Sequence, residues 1–87
     1  MVDGGKTGPS AAASVGLPIT LGRFMKLAGL VSTGGEAKQL VAEGRVLVNT
    51  EVETRRGRKL ADGDVVEVHG RAIRLVAHPS DPTPSGG

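Results

Sequence analysis

Four of the five residues in the run Arg55-Arg56-Gly57-Arg58-Lys59 are cationic. Planar guanidinium groups make paired hydrogen bonds to phosphate oxygens, and the Lys59 ammonium adds a point charge. Gly57, with no Cβ, lets the backbone bend tightly or lets a ligand come close. A run of this kind suits the binding of a polyanion. Its plain alternative is a solvated loop; the predominance of Arg and the presence of other cations along the chain favour phosphate contact. Those cations are Arg23 and Lys26, spaced to share one face of a helix, then Lys38, then Arg45 directly after Gly44. Gly34 and Gly35 would open a helix with unobstructed N–H groups, where a phosphate can dock, and Lys38 one turn on leans back toward Gly34. Two structural alternatives stand equal to these roles. Thr33 and Glu36 can satisfy the same N–H groups, and Arg45 can bond the last carbonyls of the preceding helix.

The charge is unevenly distributed. Between Thr20 and Leu60, eight basic residues face four acidic ones, a local excess of four. From Ala61 onward, Arg71 and Arg74 face Asp62, Asp64, Glu67 and Asp81, a deficit of two. One face for a polyanion is the expectation. Phe24 is the sole aromatic residue, so modules that stack single-stranded bases on exposed rings are disfavoured.

Enzyme readings find no support. The absence of cysteine removes thiolate nucleophiles, disulfides and thiolate metal sites. His69 and His78 are isolated, so no zinc site is expected. Asp62 and Asp64 bracket Gly63, which turn chemistry explains better than paired-carboxylate catalysis. Gly5-Lys6-Thr7 matches the end of a phosphate-binding loop, but the earlier glycine of that motif is missing. No cofactor and no small-molecule substrate are implied. No apolar run reaches membrane-spanning length and no signal peptide is visible, so a soluble cytoplasmic protein without membrane contact is expected.

At 87 residues the chain holds one small domain. Residues 1–17 are rich in Gly, Ala and Ser, and residues 78–87 in Pro, Ser and Gly; both are expected to be disordered tails around a domain at 18–77. Thr20 is placed to cap a first helix, with Ile19 packing on Phe24 ahead of it. Leu21, Phe24, Met25, Leu27, Ala28 and Val31 form its apolar side, with Arg23 and Lys26 opposite. Gly29 ends it, with Leu30 folding back toward Met25. A second helix starts at Thr33 with Glu36 three residues on, buries Ala37, Leu40 and Val41, and ends at Gly44. Strands follow: 45–49, a turn at Asn49-Thr50, a short strand near Val52, then 65–69 and 72–76. A two-residue turn at Gly70-Arg71 would pair Val68 with Ile73, Val66 with Leu75, and Glu67 with Arg74.

In this order, A-K-Q-L-V-A-E-G-R-V-L-V-N (Ala37 to Asn49), T-R-R-G-R-K-L (Thr54 to Leu60) and D-G-D-V-V-E-V (Asp62 to Val68) resemble the S4-type RNA-binding domain, named after a ribosomal small-subunit protein. The likeness runs from Ile19 to Val68 and is greatest to small bacterial proteins consisting of little more than that domain. It departs from the family where a basic residue often follows Ser32, here Thr33-Gly34-Gly35, and where a turn glycine is here Thr50. The resemblance implies an α+β fold, the alpha-L motif, with two N-terminal helices packed on a small, strongly bent antiparallel sheet. It also implies structured RNA as ligand, ribosomal or transfer RNA, and a place in translation or ribosome association. The residues expected to contact RNA are Arg23, Lys26, Gly34, Gly35, Lys38, Arg45, Arg55, Arg56, Arg58 and Lys59. About five phosphates engaged would make log K fall with log salt at a slope of roughly −3.5 to −4.5. Replacing Arg55, Arg56 and Arg58 by Glu is expected to abolish binding without changing circular dichroism. The alternative function is a protein-interaction module docking on an RNA-processing, translation or replication factor; a detached accessory domain of an RNA-modifying enzyme is a third.

Overall fold

A hydroxyl side chain starts each helix and a left-handed glycine ends it, and these signals set the frame of the computed structural model, which describes residues 11–78. Helix α1 spans Leu21–Leu27 and α2 spans Gly34–Ala42. Thr20 caps α1 by accepting from the Arg23 N–H, and Thr33 caps α2 by accepting from the Glu36 N–H at 3.1 Å. The Glu36 carboxylate reaches back to the Ser32 N–H at 2.9 Å, one residue earlier than a strict capping box. Both helices end in a Schellman pair. Gly29 (φ 77°) donates to Lys26 O while Leu30 donates to Met25 O, and Gly44 (φ 73°) donates to Val41 O while Arg45 donates to Leu40 O.

The described residues also form seven strands: β1 (Ala11–Val15), β2 (Ile19–Thr20), β3 (Val46–Val48), β4 (Glu51–Val52), β5 (Lys59–Leu60), β6 (Val65–Val68) and β7 (Arg71–Ala77). Five form a sheet in the order β1-β7-β6-β3-β4; β2 and β5 form a separate antiparallel ribbon. The inward residues of the sheet (Val46, Val48, Val66, Val68, Ile73 and Leu75) alternate along their strands and close over Phe24, Leu21 and Met25 of α1 and Ala37, Leu40 and Val41 of α2. Phe24, at 0% exposure, is the largest side chain in this core.

Four expectations need correction. The sheet is mixed, because β1 runs parallel to β7 while the other pairs are antiparallel. The helices are not the first elements, since β1 and β2 precede them. Residues 11–15, assigned to a tail, are therefore a strand. Ala-Ala-Ala-Ser-Val carries neither alternation nor strong β propensity; the free edge of β7 orders it, with Val15 as its buried anchor. His78, also assigned to a tail, donates its N–H to Val15 O at 2.8 Å. Residues 1–10 and 79–87 lie outside the described residues.

The third correction is a register. The β6–β7 turn is His69-Gly70, and Val66 faces Ile73, Glu67 faces Ala72 and Val68 faces Arg71. Both turn residues have positive φ, 55° and 78°, the signature of the type I′ turn whose twist matches that of the strands. The two-residue shift keeps every side chain on its expected face, so periodicity alone could not detect it. The turn at Asn49-Thr50 is where the sequence places it, again with two positive φ values. Fourth, Leu27 is 59% exposed and does not join the core.

Candidate nucleic-acid interface

The arginine loop between β4 and β5 is held against the start of α1 by its own backbone. An α-helix leaves its first N–H groups without partners inside the helix. Here the Arg58 carbonyl accepts from Leu21 N–H at 2.7 Å and the Arg56 carbonyl from Gly22 N–H at 3.0 Å. The β2–β5 pairing, Ile19 with Leu60 and Thr20 with Lys59, extends the same seam. The sequence's most cationic run is thereby stitched to a helix some thirty residues earlier.

Gly22 makes the close approach possible. A Cβ built there would lie 2.6 Å from Arg56 Cγ and 3.0 Å from Arg56 Cδ, so the arginine stem crosses the helix where any side chain would stand. Gly57 is different: its backbone is not in the left-handed region and a Cβ there would meet open space, so no tight bend requires it.

Beside this crossing lies an open groove of about 440 Å³. Thr20, Gly22, Arg23, Lys26 and Leu27 line it from the α1 side, Gly34 and Ala37 from α2, and Arg56 and Gly57 from the loop. Three cations from two distant stretches of sequence thus border one concavity whose lining, among the described residues, contains no carboxylate. Gly34 opens α2 at this wall, and a Cβ at Gly34 would meet nothing within 4 Å.

Other residues expected at the interface lie outside this lining. Gly35 and Lys38 are exposed on α2, and Lys59 is exposed on β5. Arg45 turns to its own helix end, where its Nε donates to Glu43 Oε1 at 3.0 Å; the backbone N–H of Arg45, not its guanidinium, caps a helix carbonyl. Arg55 is exposed, with Nε 3.6 Å from Glu53 Oε2. Arg58 donates from Nη1 to Glu53 Oε1 at 2.9 Å.

Glu53 is the one buried charged residue among the described residues, 8% exposed. It also accepts from the Arg55 N–H at 3.0 Å. The hydrogen bond from Arg58, then that from the Arg55 backbone, hold its carboxyl below the usual carboxylate value, outweighing the opposing effect of burial. One acid, Glu53, is thus paired with the basic run, and it is not among the residues that line the groove. For the same reason a charge reversal at Arg58 is not a neutral test of binding: it would set a second carboxylate against Glu53 and disturb the loop.

Sequence reasoning missed Gly22, Leu27 and Glu53. Gly22 had a signal, since a glycine inside a helical pattern costs about 1 kcal/mol and usually has a packing reason. Asp62 and Asp64 are turn residues as expected: Asp64 Oδ2 accepts from Ala61 N–H and Asp62 Oδ1 from Ala77 N–H. Among the described residues, no group of three or more His, Asp and Glu is placed to hold a metal ion. No helix among them is long and apolar enough to cross a membrane.

Two short helices packed on a mixed sheet, with a basic loop docked on the first, define a small α+β class of domain. The chain belongs to the S4 domain family, whose model matches residues 15–76. A Bacillus subtilis protein named "Probable ribosome maturation protein RlbA" is 58% identical over 52 residues, covering 60% of this chain and 73% of that one. The Escherichia coli "Putative RNA-binding protein YbcJ" is 39% identical over 54 residues, covering 62% of this chain and 77% of its own. The solution structure of E. coli YbcJ, described as an alpha-L motif involved in RNA binding, superposes with a TM-score of 0.63 at 32% identity, covering 88% of this chain and all of that one.

Proposed function

We propose that this protein binds structured RNA, with ribosomal RNA as the natural class, through phosphate contacts around the groove between α1, α2 and the arginine loop. The observation that carries this reading is the convergence of Arg23, Lys26 and Arg56 on a concavity with no acid in its lining among the described residues. Arg56 and Arg23 supply guanidinium forks, Lys26 a point charge, and the Gly34 backbone an N–H donor unobstructed by a side chain. Lys38 and Lys59 broaden the positive field beyond the groove, and Gly35 adds a backbone N–H at the start of α2. Arg45, Arg55 and Arg58, each paired with a glutamate, contribute less. A groove without aromatic residues favours recognition by backbone geometry over base identity. The name of the YbcJ relative supports RNA, and that of the RlbA relative supports the ribosome.

The test is the triple variant R23E/K26E/R56E, assayed by fluorescence anisotropy against a folded ribosomal RNA fragment and a single strand of equal length. None of the three is paired with an acid among the described residues, so circular dichroism should be native. Wild type should prefer the folded RNA, and the variant should lose at least a hundredfold in affinity. If three to five phosphates are engaged, the wild-type slope of log K against log salt is about −2 to −4.5. Undiminished binding by the variant would refute the proposal.

A further inference from the structure

The only buried charge among the described residues is an acid, and it sits under the most cationic loop of a face read as an RNA-binding surface. By Coulomb's law alone a carboxylate so placed weakens attraction for a polyanion. Its geometry accounts for its presence. Glu53 is anchored from behind, its N–H donating to the carbonyl of fully buried Val46 at 3.0 Å. Its two oxygens then take the two ends of the loop: Oε2 accepts from Arg55 N–H at 3.0 Å and Oε1 from Arg58 Nη1 at 2.9 Å. The segment between those ends is a single turn, closed by Arg58 N–H on Arg55 O at 3.2 Å. From that turn come the two carbonyls that receive the Leu21 and Gly22 N–H groups of α1.

We propose that Glu53 is a positioning residue for the RNA face. It clamps the Arg55–Arg58 turn so that the turn caps α1 and Arg56 crosses Gly22 into the groove, and it commits Arg58 to the loop instead of to phosphate. The functional half of this inference rests on the RNA-binding reading; the structural half does not.

The opposed signs of the two effects make a sharp test. E53Q removes an acid from beneath a polyanion site, so a purely electrostatic role predicts tighter RNA binding. Positioning predicts the reverse: at least tenfold weaker binding, because Arg56 is no longer held at the groove. R58Q should match it, and E53Q/R58Q should be no worse than either single variant, since all three break the same clamp. Amide hydrogen exchange reads the clamp without RNA. E53Q should speed exchange at Leu21 and Gly22 at least tenfold more than at Val66 in the core sheet, whereas simple destabilisation would raise all three together.

RNA binding by E53Q equal to or tighter than wild type overturns the positioning role. Uniform acceleration of exchange overturns the clamp. A wild-type protein that binds no RNA refutes the RNA-binding function and removes the functional half, while exchange at Leu21 and Gly22 still decides the structural half.

Discussion

Replacing Gly22 by Ala adds one methyl group, and its consequences separate the groove's function from the fold's stability. Within the first turn of α1, Ala gains at most about 0.5–1 kcal/mol over Gly in helix propensity. The new Cβ would lie 2.6 Å from Arg56 Cγ and 3.0 Å from Cδ, too close for either to stay. Forced overpacking in a closed core costs about 1–3 kcal/mol. Arg56 is exposed, however, so its stem can swing into solvent instead. The Arg56 carbonyl is not displaced, since it would stand 3.7 Å from the new methyl, an ordinary contact. Stability should therefore change by less than about 1 kcal/mol, the propensity gain offsetting residual crowding. RNA binding should not be spared. Losing the Arg56 contact removes one charge-assisted interaction worth about 1.5–3 kcal/mol, roughly ten- to a hundredfold in affinity. The salt slope should become shallower by about 0.7–0.9. Urea unfolding and anisotropy titrations at several salt concentrations measure both, with R56A as comparison; G22A/R56A should bind no worse than R56A. Wild-type affinity and slope in G22A would refute the claim that the Arg56 stem, as the glycine seats it, carries a phosphate contact.

Two further predictions concern the frame. Thr50 is a β-branched residue at φ 70° in the β3–β4 turn, where left-handed backbone costs a non-glycine residue about 1–2 kcal/mol. Against the extra unfolded-state entropy of glycine, T50G should raise stability by up to about 1 kcal/mol, seen as a higher urea midpoint with unchanged m-value. Glu53 predicts an acid sensitivity. Its folded pKa is lowered from the ordinary 4.5, so its stabilising contribution is fully present above that value and is lost as pH falls through the lowered one. Urea midpoints measured from pH 6 down to pH 3 should fall more for wild type than for E53Q; parallel curves would show that the carboxylate carries no such linkage.

Local chemistry made much of this legible in advance. Thr20 and Thr33 as caps, Gly29 and Gly44 as stops, Asn49-Thr50 as a turn and Asp62-Gly63-Asp64 as another are each decided within a few residues, and the structure uses them so. What escaped depends on which alternative partner or register the fold selects. Strand β1 exists because β7 offers an edge, which nothing in Ala11–Val15 announces. The β6–β7 register differs by two residues, a shift to which a period of two is blind. Leu27 has the helical phase of a core residue but lies beyond the sheet's cover. At the interface, the cations were identifiable by type, yet Arg23, Lys26 and Arg56 are brought together by Gly22 and by two backbone hydrogen bonds, while Arg45, Arg55 and Arg58 are drawn aside by neighbouring glutamates. Charge type is written in the sequence; charge pairing is set by the fold.

Backbone amide shifts followed by NMR during titration with a folded ribosomal RNA fragment test most directly whether the cations around the groove form the binding face. The largest perturbations should fall on Arg23, Lys26, Gly34, Arg56 and Gly57, and should fade as salt is raised. Perturbations concentrated instead on β1 and β7, at Ala12, Ser14 and Arg74, with the groove residues unmoved, would contradict the account.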